Sequence, residues 1–306
     1  MPVGYMQNKG VIYAFLAYAG WGLISIYWKQ INPGIDAVQI TSHRIFWSLL
    51  TLFLMLAFKG GFKGLIVQIK DKKHLWTFAL AAILLTSNWT IYIYAVVSGH
   101  IIETSLGYFI NPLVNVLIGV IFFNEKMRKL QWIAVVVASV GVIYLSIALN
   151  AVPIIPLALA LTFGFYGLVK KKVNADSMIG LTLETGFMFI PALILLIIAE
   201  VNATSANSSF FSASIVDQLL LIGAGLITTV PLIWFANAVK SVPMSTIGFI
   251  QYLTPTITFL IGLLIYQEPF KPVKLVGYSI VWVGVLIFIL DNVRNRVRLR
   301  RSTSNA

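Results

Sequence analysis

Apolar residues in this chain come in blocks of roughly twenty, the length needed to cross the hydrocarbon of a bilayer. Polar or basic stretches, most of them short, separate the blocks. Ten stand out: 10–28, 37–58, 75–97, 102–123, 130–149, 153–169, 178–199, 218–239, 245–266 and 275–291. The blocks are apolar around most of the helical turn rather than along one stripe, which predicts helices packed on each other and on lipid. The block 153–169 is short and carries Pro153, Pro156 and Gly164. The expected fold class is an all-α integral membrane protein with ten transmembrane helices.

The blocks also repeat. Pro112, Leu117, Ile118, Gly119, Glu125, Val140, Gly141 and Val142 recur 143 residues later as Pro255, Leu260, Ile261, Gly262, Glu268, Val283, Gly284 and Val285. The same offset pairs Thr86 with Thr229, Ala95 with Ala238 and Ser98 with Ser241. Near the start, Trp21, Gly22 and Lys29 correspond to Phe163, Gly164 and Lys171. The chain therefore divides into two five-span repeats, 1–150 and 151–306. Five is odd, so the second repeat must enter the membrane from the opposite side. Inverted halves give one sequence two near-equivalent packings, the physical basis of alternating access, with the binding site between the repeats.

Pro112 and Pro255 fall near the middle of spans four and nine, where a proline removes a hydrogen bond and crowds the preceding turn. Each helix should kink or break there, and the freed carbonyls must face protein or a watery cavity. Polar residues gather at both places: Tyr108, Asn111 and Asn115 at one, Gln251, Tyr252 and Thr254 at the other. With Asn88 in span three and Trp234 in span eight, they predict one polar cavity near the midplane. Segments 130–149 and 275–291 carry the small residues Ala134, Ala138, Gly141, Gly277 and Gly284. Such positions let membrane helices approach closely, within the chain or across a homodimer through spans five and ten.

Composition excludes several classes. The chain is 59% hydrophobic and 10% charged, where a soluble protein carries roughly 25% charged residues. There is no cysteine, so disulfides, thiol catalysis and cysteine-ligated metals are out, and no metal or cofactor motif appears. The net charge of +12 is not spread like a nucleic-acid patch. With a cytoplasmic N-terminus, the inner loops and the Arg-rich tail hold eighteen of the 22 lysines and arginines. That is the positive-inside pattern, with both termini cytoplasmic and the tail against anionic lipid. The short loops leave no room for a nucleotide-driven pump domain. HExxH, GxSxG, paired intramembrane aspartates and a phosphate loop are all missing, which argues against an intramembrane enzyme.

Charges inside a bilayer cost roughly 2.5–3.5 kcal/mol each on insertion scales, so each needs a reason. His43 and Arg44 lie about two turns into span two from the outer side, and Glu184 about two turns into span seven from the inner side. Arg44 either neutralises Glu103, at the outer start of span four, or offers a bidentate donor to an anionic solute. His43 and Glu184 are the candidate proton carriers; Glu184 has the alternative of pairing with the Lys170–Lys172 cluster. Trp21, Trp89, Tyr92, Tyr94, Tyr108 and Trp234 suit a cavity for flat or amphipathic solutes. Trp28, Trp76 and Trp132 sit at span ends and read as interface anchors.

Trp21-Gly22, Tyr27-Trp28-Lys29, His43-Arg44 with Trp47-Ser48, Asn88-Trp89, Gly107-Tyr108-Phe109-Ile110-Asn111-Pro112 and Phe249-Ile250-Gln251-Tyr252 with Pro255 carry a resemblance over essentially the whole chain. The sequence resembles the EamA-type drug/metabolite transporter superfamily and, within it, the RarD-like group. The resemblance implies ten spans in two inverted repeats and a cavity lined by spans one to four and six to nine. It also implies a bacterial inner-membrane secondary transporter of small organic molecules, an exporter or an exchanger. Import on the same scaffold, a channel and an intramembrane enzyme are the competing readings.

Overall fold

A computed structural model describes residues 3–97, 101–148, 154–173, 175–202, 209–267 and 272–304. Among them all regular structure is α-helical. The helices are α1 (Val3–Trp28), α2 (Ala37–Lys59), α3 (Phe62–Lys70), α4 (Lys72–Val97), α5 (Ile101–Phe123) and α6 (Lys129–Ala148). They continue as α7 (Ile154–Lys172), α8 (Ser177–Val201), α9 (Ile215–Ser241), α10 (Met244–Gln251), α11 (Leu253–Leu264) and α12 (Pro272–Ser304). Among the described residues, nine helical spans are long and apolar enough to cross a membrane, α10 and α11 together forming one of them. A shorter apolar helix covers Gly107–Phe123, within the expected fourth span. Large apolar side chains that a soluble protein would bury face outward, among them Phe58, Trp76, Ile147, Val201 and Leu264. The protein is a multi-pass membrane protein.

Three features depart from the simplest reading of the blocks. The basic stretch between the second and third spans is not an open loop but contains α3. The block 245–266 is two helices with Tyr252 between them. The last helix runs past its apolar block, through the basic segment, to Ser304.

Pro255 accounts for the interruption. Continuing α10 would drive its ring against the Gln251 carbonyl, so the helix stops at Gln251 and α11 starts at Leu253. Pro255 then sits in the first turn of α11, where its missing N–H has no partner to lose. Its repeat counterpart behaves differently, because α5 runs unbroken through Pro112. There α10 lies directly on the proline turn: a Cβ at Gly248 would sit 2.5 Å from the Pro112 carbonyl oxygen.

The termini of α2 and α8 show how local sequence sets register. Asp36 caps α2 by accepting from the Val38 N–H at 2.6 Å. Asp176 caps α8 by accepting from Met178 and Ile179 at 2.9 and 3.3 Å. Gly60 closes α2 at φ +67°, a left-handed conformation that a side chain disfavours.

Packing is pairwise: α6 on α12, α5 on α7 and α10, α1 on α9 and α11, α2 on α8 and α9, and α4 on α7 and α8. The small residues of α6 and α12 mesh within the one chain. A Cβ on Gly141 would lie 2.7 Å from a Val281 methyl, and one on Gly284 would lie 2.8 Å from the Ala134 carbonyl.

The two ends of the bundle differ in chemistry. At one end Glu125 meets Met244 and Ser245, Lys171 meets Val242, Lys240 meets Ala175, and Arg128 pairs with Asp291 at 2.5 Å. This is the basic end. At the far end the Tyr27 hydroxyl reaches the Leu220 carbonyl, Asn32 N–H donates to Asp217 at 2.9 Å, and Phe210 N–H donates to Glu200 at 2.6 Å. Helix α2 starts near the far end, whereas α8 starts at the basic end, beside Ala175 and Lys240.

Candidate functional site

Arg44 is held by ring faces and one neutral acceptor. Its guanidinium carbon lies 5.0 Å from the Trp28 ring centre and 4.7 Å from that of Trp89, and its Nε donates to Thr228 Oγ1 at 3.1 Å. A planar cation stacks well on indoles, and among the described residues only Thr228 takes one of its donors. Trp28, expected at the membrane interface, is thus part of this cluster. Tyr92 and Tyr108 form a ring pair 6.5 Å apart and remain 38% and 42% exposed. The Glu103 side chain, proposed from sequence as the partner of Arg44, and that of Tyr94 lie outside those described.

His43 points elsewhere. Its Nδ1 accepts from Trp47 Nε1 at 3.3 Å, its ring lies 4.9 Å from Phe210, and its Nε2 is buried with no partner among the described residues.

Glu184 sits in the other half of the bundle, paired with Lys170 rather than with Arg44. Lys170 Nζ donates to Glu184 Oε1 at 2.8 Å, and the side chains are only 3% and 1% exposed. The Tyr166 hydroxyl donates to Oε2 at 3.1 Å. Counting from the aspartate caps, Arg44 and Glu184 are each the eighth residue on. Repeat offsets of 141–143 set Glu184 beside the counterpart of His43; the caps shift the register by one or more residues, onto Arg44. Of the Lys170–Lys172 cluster offered by the sequence as an alternative partner, it is Lys170 that Glu184 meets.

The polar residues around the two prolines satisfy one another. Asn115 Nδ2 donates to Gln251 Oε1 at 2.6 Å and lies 3.3 Å from Asn111 Oδ1, while the Tyr18 hydroxyl reaches Gln251 at 3.4 Å. Thr254 Oγ1 donates to the Tyr18 carbonyl at 2.7 Å. This buried network ties α1, α5, α10 and α11 together. Tyr252 turns away into a second core cluster with Phe109 and Phe249. Asn88 Nδ2 donates to the Leu159 carbonyl at 2.8 Å and to Thr162 Oγ1 at 3.0 Å, fastening α4 to α7. Trp21 joins an aromatic cluster with Tyr18, Phe163 and Phe235, at 5.4, 5.7 and 5.6 Å. Phe235, not its neighbour Trp234, occupies the centre of that cluster.

A small cavity lies between α2, α4, α8 and α9. Ile45, Ser48, Trp89, Thr185, Met188 and Thr229 are among its walls, and none of the polar residues at the proline turns lines it. It is mostly apolar, but the Thr229 hydroxyl is buried with no partner among the described residues. Trp89 forms both a wall of the cavity and a face of the Arg44 cluster. Glu184 directly precedes the wall residue Thr185.

Apolar spans that enclose polar and ionised groups in their interior are the mark of a functional membrane protein, and the family match gives the class. The chain belongs to the EamA-like transporter family, whose family model matches residues 8–147 and 152–290. It is 41% identical over 293 residues to YojE, an uncharacterized transporter of Bacillus subtilis, covering 94% of this chain and 95% of that one. It is 38% identical over 296 residues to the protein RarD of Streptomyces exfoliatus, covering 96% and 92%. A protein of known crystal structure superposes with a TM-score of 0.70 at 12% identity, covering 92% of this chain and 97% of the other, a likeness of fold alone. The chain is a membrane transporter of small molecules.

Proposed function

We propose that this protein is a secondary transporter that works by alternating access between two inverted five-helix halves. The solute binds along the seam of α2, α4, α8 and α9, where the cavity is closed here to about the size of a water molecule and must widen around it. Arg44, across Trp89 from that cavity, meets the solute's anionic or strongly accepting group. One observation carries this reading. Helices α2 and α8, registered by equivalent aspartate caps, run in opposite directions and wall one cavity with equivalent residues: Ile45 with Thr185, and Ser48 with Met188. A site on the axis between inverted halves is equally reachable from either side, as alternating access requires. The basic end is cytoplasmic, both termini lie there, and the membrane is the bacterial inner membrane. Export is the working direction; a scaffold of this symmetry runs either way with its gradients.

The test is counterflow in proteoliposomes against a panel of small organic acids with aromatic or amphipathic bodies. Saturable counterflow of at least one is expected, falling at least about tenfold in Arg44→Gln. Arg44→Lys should restore little, because an ammonium replaces the stacked planar fork with a point charge. Flux that never saturates would point to a channel, and chemical change of the solute would point to an enzyme. Either result overturns the reading.

A further inference from the structure

The Lys170–Glu184 pair has a role that packing alone does not explain. It lies inside the membrane-spanning part of α7 and α8, nearly without exposure. Burying two charges is a poor way to hold helices together, since well-packed apolar residues of similar size serve as well or better. What an ion pair offers that an apolar contact lacks is a second stable state. Dry, the charges must pair; wet, water solvates each alone.

The surroundings fit a seal at this end. Lys171 Nζ donates to the Val242 carbonyl at 2.5 Å, Lys240 donates to the Ala175 carbonyl, and Ser177 Oγ donates to Asn237 at 2.9 Å. These contacts tie the basic ends of α7, α8 and α9 into one ring. The charged and titratable groups facing the pair are Tyr166 from α7 and Lys240 from α9, while α4 presents the apolar Phe78 beside Gly180. At the equivalent register of the other half, Arg44 has only ring faces and one threonine among the described residues.

We infer that the Lys170–Glu184 ion pair is the latch of the basic-end gate, made when that end is closed and broken and hydrated when it opens. The inference rests on the alternating-access reading and names the element that reading leaves open. Tyr166, itself packed in the aromatic cluster at 6.0 Å from Phe235, orients the carboxylate. The latch is thereby joined to Trp21 and Phe163 at the core of the bundle.

The cysteine-free chain allows a direct test. Thr185→Cys places one thiol on the cavity wall, next to Glu184, and a membrane-impermeant maleimide applied from the basic side reports opening. Adding Lys170→Met and Glu184→Gln together should speed labelling at least about tenfold while keeping the shape of the pair. The exchanged pair, Lys170→Glu with Glu184→Lys, should label as slowly as the parent. An unchanged rate in the neutral pair, or fast labelling in the exchanged pair, overturns the latch. If the neutral pair yields no folded protein, Tyr166→Phe decides: a rise of at least about twofold supports the latch, and no rise overturns it. Failure of the parent reading looks different, since Thr185→Cys would then label equally from both sides whether or not solute is present.

Discussion

Glu125 follows the last turn of α5, and its carboxylate closes the start of α10. Its oxygens accept from Met244 N–H at 2.6 Å, from Ser245 N–H at 2.9 Å and from Ser245 Oγ at 2.7 Å. Glu125→Ala should therefore lower stability by about 1–2 kcal/mol, the scale of a lost helix cap. Glu125→Gln should cost less, because the amide keeps one acceptor oxygen. Thermal unfolding in detergent measures both, and an unshifted alanine variant would contradict the capping role. At this scale the sequence marked which residues are exceptional but only in part whom they meet. Arg44, His43 and Glu184 stood out because charge in a membrane demands a reason. The Lys170–Lys172 cluster was legible as a partner of Glu184, but Trp28 and Thr228 were not legible as partners of Arg44, because they are identified only by which helices become neighbours. Trp234 shows the same gap. On a helix apolar all round, no polar face tells inward from outward, and its neighbour Phe235 took the central place.

Among the elements, the apolar blocks were legible because a bilayer requires unbroken runs. The small residues of α6 and α12 were legible as a close contact, and the structure uses them inside one chain. Gly141→Leu should force Val281 and the Gly277 carbonyl apart, both within 3.1 Å of the position its Cβ would take. Overpacking of this kind typically costs about 1–3 kcal/mol. The expected result is less folded protein in detergent and a lower unfolding temperature; a variant as stable as the parent would mean the two helices do not pack this closely. What the blocks could not reveal is α3, a nine-residue helix hidden in a basic stretch. Nor could they separate Pro112 from Pro255, which occupy matching positions in the repeat. The difference lies in tertiary surroundings: α10 packs its Gly248 against the turn at Pro112, whereas the chain at Pro255 restarts as α11.

Across the whole molecule, the neighbour relations between the two halves fall into matching pairs. Exchanging the five spans of one half for those of the other turns α1 on α9 into α7 on α4, α2 on α9 into α8 on α4, and α5 on α7 into α11 on α1, all of which occur. A duplicated and inverted chain has this property, and it makes the sidedness of the loops the decisive measurement. Eighteen of the 22 lysines and arginines fall in segments assigned to one side, the side where the folded chain also joins Glu125, Lys171, Lys240 and Arg128 to their partners. Lys70 at the end of α3 and Asn202 at the end of α8 are both exposed and belong to opposite ends. Lys70→Cys should therefore react with an impermeant thiol reagent only from the cytoplasm, and Asn202→Cys only from outside. The absence of native cysteine leaves no background. If both positions react from the same side, an odd number of spans cannot separate them, and α2 and α8 would no longer belong to inverted halves. The shared cavity would then lose its symmetry, and the basic-end latch would have no opposite gate to alternate with.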